Sequence, residues 1–135
     1  MTVEQMNLPF VSIKADPDND IAYMTFHNYQ ELASDTAIYP ERGNIAGIMY
    51  CGLGLASEAG EVAGKIKKYF RDGVADKDRD AFYTNLEGEL GDVLWYLAMI
   101  ADEFGLEFGD IARGNIEKLA SRKARGVLGG SGDNR

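Results

Sequence analysis

From residue 25 onward apolar side chains recur every three or four positions, and nowhere do apolar and polar residues alternate over the length of a strand. The pattern predicts helices alone. Thr25 is a suitable N-cap for a first helix through FHNYQELASDTAI, which Pro40 must end because the residue before a proline is pushed out of the α region. A second helix is expected from near Asn44 to about Arg71, with Gly73 as its stop. The third begins after Asp78 or Asp80 and ends at Gly105, and the fourth runs from near Asp110 to about Ala124. Before them, residues 1–24 hold the turn-rich ADPDNDIA and no sustained period, which makes them an irregular arm. After them, residues 129–135 are a glycine-rich tail. Four helices joined by short connections predict an all-α fold, a four-helix up-and-down bundle over residues 25–128.

Polar positions that break the apolar pattern are more informative. Glu58 and Glu61 lie three apart in the second helix, and Glu89 and Asp92 lie three apart in the third. Residues so spaced share one helix face. Advancing about 100° per residue from Glu89, Asp92 falls near −60°, Tyr96 near −20° and Met99 near −80°, while Leu86, Leu90, Val93, Leu97 and Ile100 fill roughly +20° to +100°. The acidic stripe therefore borders an apolar one. In the second helix Leu55, Ala59, Val62, Ile66 and Tyr69 form the apolar stripe, beside Glu58, Glu61, Lys65 and Lys68. One acidic pair is common on any solvated helix; two pairs with the same relation to a seam are not. If the helices pack antiparallel, four carboxylates converge, and like charges so placed call for a cation. Oxygen ligands without His or Cys select a hard ion, Mg²⁺ with Mn²⁺ as the alternative. Gly43, Gly47, Gly52, Gly54, Gly60 and Gly64 each lower helix propensity by roughly 1 kcal/mol relative to Ala, so the second helix must be packed closely or kinked near Gly52 and Gly54.

Charge narrows the function. The chain of 135 residues carries 22 Asp and Glu against 14 Lys and Arg, a net charge of −8, which argues against nucleic-acid binding through the phosphate backbone. A small phosphorylated ligand held through a metal and local cations is compatible. Lys65 and Lys68 follow Glu61 by one and two turns, placed to neutralise phosphate oxygens. In the fourth helix Asn115, Lys118 and Arg122 share a stripe that offers an amide, an ammonium and a guanidinium to a polyphosphate or base. The lone Cys51 excludes an internal disulfide and reads as a small packing residue, and the lone His27 as a surface or capping residue. No secretory leader pattern and no run of about 18 apolar residues occurs, so a cytoplasmic protein without membrane contact is expected.

The spacing E-x-x-E, 27 residues at positions 62–88, then E-x-x-D, resembles the MazG-like nucleoside triphosphate pyrophosphohydrolases of the all-α NTP pyrophosphatase superfamily. GLASEAGEVAGKIKK, ELGDVLWYLA and NIEKLASRKARG stand in the family's order, and YQELASDTAIYP is similar to the first helix of a compact branch. The resemblance implies Mg²⁺ ligation by Glu58, Glu61, Glu89 and Asp92, a nucleotide gripped by Lys65 or Lys68 with Asn115, Lys118 and Arg122, and hydrolysis of NTP to NMP plus pyrophosphate. Glu61 is the first choice for the group that accepts the water's proton. It also implies that GSGDNR folds over a site or a subunit contact. Because two of four helices carry the acids and leave one side of the site open, a homodimer or homotetramer is expected. Competing readings are a phosphoribosyl-ATP pyrophosphohydrolase, whose usual Tyr-His is replaced here by Trp95 and Tyr96, and a ferritin-like di-metal protein, whose Glu-x-x-His motifs are missing. A non-catalytic helical interaction module would show no metal dependence.

Overall fold

The computed structural model describes residues 24–131; residues 1–23 of the expected arm and residues 132–135 of the expected tail lie outside the described residues. Four helices follow in order, α1 (Phe26–Asp35), α2 (Ile45–Asp72), α3 (Arg79–Glu103) and α4 (Phe108–Ala124), with a 3₁₀ turn at Asp76–Asp78 before α3. No strand occurs among the described residues. None of the helices is long and apolar enough to cross a membrane.

Local chemistry accounts for the boundaries. The Thr25 hydroxyl accepts from the Asn28 amide at 3.1 Å, satisfying one of the donors that a helix start leaves open. α1 ends at Asp35, short of the expected stop at Pro40. Thr36 closes it by donating both its amide (3.0 Å) and its hydroxyl (2.7 Å) to the Ala33 carbonyl. That hydroxyl also accepts from Trp95 Nε1 at 2.8 Å, so a side chain of α3 holds the stop in place. Gly73 caps α2 with φ 68°, as its sequence position predicts. α3 and α4 end alike: in each a glycine with positive φ, Gly105 or Gly126, reverses the chain, and the next residue's amide returns to a carbonyl five residues back, Leu106 to Ala101 at 2.8 Å and Val127 to Arg122 at 2.9 Å.

α3 is the central element. Pairs along its seam with α2 run in opposite senses, from Gly47 beside Glu103, through Gly54 beside Tyr96 and Lys65 beside Glu89, to Tyr69 stacked on Phe82 at 5.2 Å. The two helices are therefore antiparallel. Two glycines of α2 permit the approach, because a Cβ at Gly54 would enter the Tyr96 ring and one at Gly47 would meet the Glu41 carbonyl at 2.6 Å and Glu103 Oε1 at 2.9 Å. On its other side α3 receives α1. No Cα of α2 comes within 8 Å of α1 or α4.

The core gathers around the C-terminal half of α3, where Ala98, Met99 and Ala101 are buried together with Ala33 of α1, Tyr39 of the loop after it, Cys51 of α2 and Phe108 of α4. This differs from the wheel reading, which placed the seam on the aliphatic arc of α3. Leu90 is 50% and Leu97 40% exposed, and on α2 Ile66 is 42% exposed. The acidic stripe of α3, with Tyr96, is what faces α2, and the aliphatic stripe looks outward. Hydrophobicity alone could not separate a face buried by α1 from one left open. In an antiparallel pair, equal offsets from the facing line fall on the same side of the plane through both axes. The outward stripes of α2 (Ile48, Ile66, Phe70) and α3 (Leu86, Leu90, Leu97), at about +20° to +120° from Glu58 and Glu89, thus form one continuous apolar surface.

Candidate active site

Antiparallel packing brings the two acidic motifs together. Oxygens of Glu58 from α2 and of Glu89 and Asp92 from α3 all lie within 4.8 Å of one another, close enough to share one ion. Glu61 is outside this group of three. It lies near enough, however, for its charge to act on Glu58. Burial first, then the charges of Asp92, Glu89 and Glu61, raise the Glu58 carboxyl above its ordinary value of 4.5. Three carboxylates without nitrogen or sulfur donors fit a hard divalent cation.

Toward the hairpin end of the seam the charge reverses. Lys65 Nζ reaches across to Glu89 Oε1 at 3.0 Å, with both side chains about three-quarters buried (25% and 21% exposed). Lys65 and Lys68 also line a cavity of about 210 Å³ with Tyr69, Asp72, Phe82 and Asn85. The Tyr69 and Phe82 stack gives this lining an aromatic part, and Lys65, Lys68, Asn85 and the Asp72 carboxylate give it a polar one.

Aromatic hydroxyls close the opposite end. The Tyr96 ring lies 6.4 Å from that of Tyr50, and burial first, then the neighbouring Tyr50 phenol and the Glu58 charge, raise the Tyr96 pKa. The Tyr29 phenol of α1 is raised by burial first and then by the Asp92 charge. Tyr50 was not singled out in the sequence. Its only prior signal was a place on the same flank of α2 as Glu61 and Lys68, at about −80°. Glu103 near the end of α3 links two further groups. Tyr39 donates to Glu103 Oε1 at 2.6 Å, and Glu103 Oε2 accepts from the Gly43 amide at 2.9 Å. Burial raises the Cys51 thiol, which is fully enclosed and serves packing.

The α4 row behaves differently from the α2 and α3 motifs. Asn115 and Lys118 are exposed and Arg122 is 6% exposed, so the three do not form one solvent-facing strip. α4 packs on α1 and α3 and does not reach α2. His27 sits on the surface between Glu31 (3.5 Å) and Glu107 (3.2 Å), remote in sequence and in contacts from the carboxylates of the seam.

Comparison with known proteins identifies the family. Residues 50–127, which hold both acidic motifs and all of α4, match the MazG nucleotide pyrophosphohydrolase domain. The chain is 47% identical over 113 residues to the Gene 37 protein of Mycobacterium phage L5, an alignment covering 79% of this chain and 96% of that protein. No solved structure matches it. Matched over more than half its length, with its paired acids facing each other across one helical hairpin, the chain belongs to the MazG nucleotide pyrophosphohydrolase family.

Proposed function

We propose that the helical domain, residues 25–128, hydrolyses a ribo- or deoxynucleoside triphosphate to the monophosphate and pyrophosphate in a divalent-metal-dependent reaction, and that it acts in the cytoplasm on the nucleotide pool. The observation that carries the reading is the convergence of Glu58, Glu89 and Asp92 from two helices within 4.8 Å. These three would hold the ion, Mg²⁺ or Mn²⁺, with Glu61 at the edge of the set. Such an ion neutralises phosphoryl oxygens and makes water more acidic. Glu61, beside the cluster and outside the group of three, is the candidate to accept the proton of the attacking water. Lys65 and Lys68 stand where the phosphates leave the carboxylates, and the Tyr69 and Phe82 stack gives the cavity beyond them an aromatic surface. Asn115, Lys118 and Arg122 enter only as contacts of the nucleotide end that reaches toward α1 and α4. The acidic net charge disfavours nucleic acid as substrate.

We further propose that a second copy of the chain covers the open apolar surface of the α2 and α3 hairpin, giving a homodimer or a tetramer built from it. Ile66, Phe70, Leu90 and Leu97 are between 40% and 71% exposed on that surface, and apolar side chains exposed side by side mark a surface for association.

The test is a panel of nucleoside triphosphates with Mg²⁺, resolving monophosphate plus pyrophosphate from diphosphate plus phosphate. Asp92→Asn should lower turnover about a hundred- to a thousandfold, the loss expected when one group that stabilises charge at the reacting centre goes, with the helical fold retained. Wild-type turnover in excess chelator, or diphosphate as product, would overturn the reading.

A further inference from the structure

The Lys65 ammonium is the one charged group common to the carboxylate cluster and the adjoining cavity. It touches Glu89 Oε1 at 3.0 Å and also lines the 210 Å³ space with Lys68 and Asn85. Glu89 is one of the three acids whose oxygens lie together, so the contact occupies part of the set that would receive a metal. An ammonium and a divalent ion on the same carboxylate repel each other, and in a largely enclosed setting that repulsion is poorly screened. The lysine has a four-carbon stem and three rotatable donors, so its head can move without a change in the backbone. Asn85, four residues before Glu89, is one helical turn away along α3 in the direction of the cavity.

From this we infer that Lys65 is an exchangeable cation: it neutralises Glu89 when no metal is bound, and when a divalent ion takes that carboxylate it turns into the cavity to hold phosphate. The inference rests on the metal-dependent reading above and adds a coupling to it. Metal alone must displace a bound ammonium, so it binds weakly. Phosphate in the cavity gives the ammonium a second partner, and the two ligands favour each other through Lys65 beyond any direct contact between them. An empty protein would thereby keep its acids partly neutralised and admit metal chiefly together with substrate.

The experiment measures Mn²⁺ binding to the full chain by electron paramagnetic resonance, with and without inorganic pyrophosphate, for wild type, Lys65→Met, Lys65→Arg and Lys67→Met. Lys67, on the outward face of α2, controls for loss of one positive charge. Lys65→Met should bind Mn²⁺ alone about three- to tenfold more tightly than wild type, the size of effect expected for removing a partly buried competing charge. Pyrophosphate should then raise its Mn²⁺ affinity less than it raises that of wild type. Lys65→Arg, which keeps the charge, should stay near wild type for Mn²⁺ alone, as should Lys67→Met. Equal or weaker Mn²⁺ binding by Lys65→Met, or equal tightening by Lys67→Met, overturns the exchange. If no variant binds Mn²⁺, the metal reading falls with it; if wild type binds Mn²⁺ and Lys65→Met gains nothing, only the exchange falls.

Discussion

Glu58 is an acid placed where ionisation is unfavourable, and the consequence is a measurable dependence of stability on pH. Its folded pKa stands above the ordinary 4.5 through burial and the charges of Asp92, Glu89 and Glu61. Between the two values the folded protein holds a proton that the unfolded chain has released. Stability from this group is thus greatest below about 4.5 and falls as pH rises through the folded value. In chelator, the melting temperature of wild type should fall across that window relative to Glu58→Gln, which lacks the group. Mg²⁺ should restore it above the window, since the ion binds only the folded cluster. Parallel pH profiles for wild type and Glu58→Gln would show that the cluster is not strained. Gly54 makes a related point without charge: the missing Cβ admits the Tyr96 ring, and with it the close approach of the two acidic stripes.

At the scale of the elements, one amide side chain joins α1 to the turn between α3 and α4. Gln30 Nε2 donates to the Leu106 carbonyl at 2.9 Å, and Gln30 Oε1 accepts from the Phe108 amide at 2.8 Å, so one side chain serves a donor and an acceptor of the turn between α3 and α4. Gln30 is 7% and Phe108 6% exposed. Gln30→Ala should therefore leave a buried amide without its partner and lower the unfolding free energy by roughly 1–3 kcal/mol. Urea denaturation measures it, and a change below about 0.5 kcal/mol, the scatter of ordinary surface substitutions, would mean that water replaces the side chain. The same contact explains why α4 begins at Phe108, two residues before the position expected near Asp110. A glutamine in a polar stretch of α1 gives no sign in sequence that it will cap a helix more than 70 residues away.

For the molecule as a whole, the decisive feature is the uncovered hairpin surface. α1 and α4 pack against α3 and make no approach to α2, and among the described residues no other helix covers the aliphatic stripes of α2 and α3. Leu90, 50% exposed at the middle of that surface, is a sensitive position. Leu90→Glu should convert the assembly to monomer in sedimentation velocity, because a charge in a symmetric interface meets its own copy nearby. Wild-type protein that sediments as a monomer at micromolar concentration would refute the dimer.

Helix content, the hairpin ends at Gly73 and Gly105, and the pairing of acids at 58, 61, 89 and 92 follow from the sequence alone, because capping and periodicity are local and act within a turn or two. Family membership was legible for the same reason, since its motifs are runs of neighbouring residues. Which three acids converge, the reach of Lys65 to Glu89, the early stop of α1 under Trp95 and the outward turn of Leu90 and Leu97 depend on which faces of α3 are covered by α1 and α2. That choice is made by contacts between residues far apart in the chain, where the close approach at Gly47 and Gly54 outweighs the pull of the aliphatic arc toward the seam.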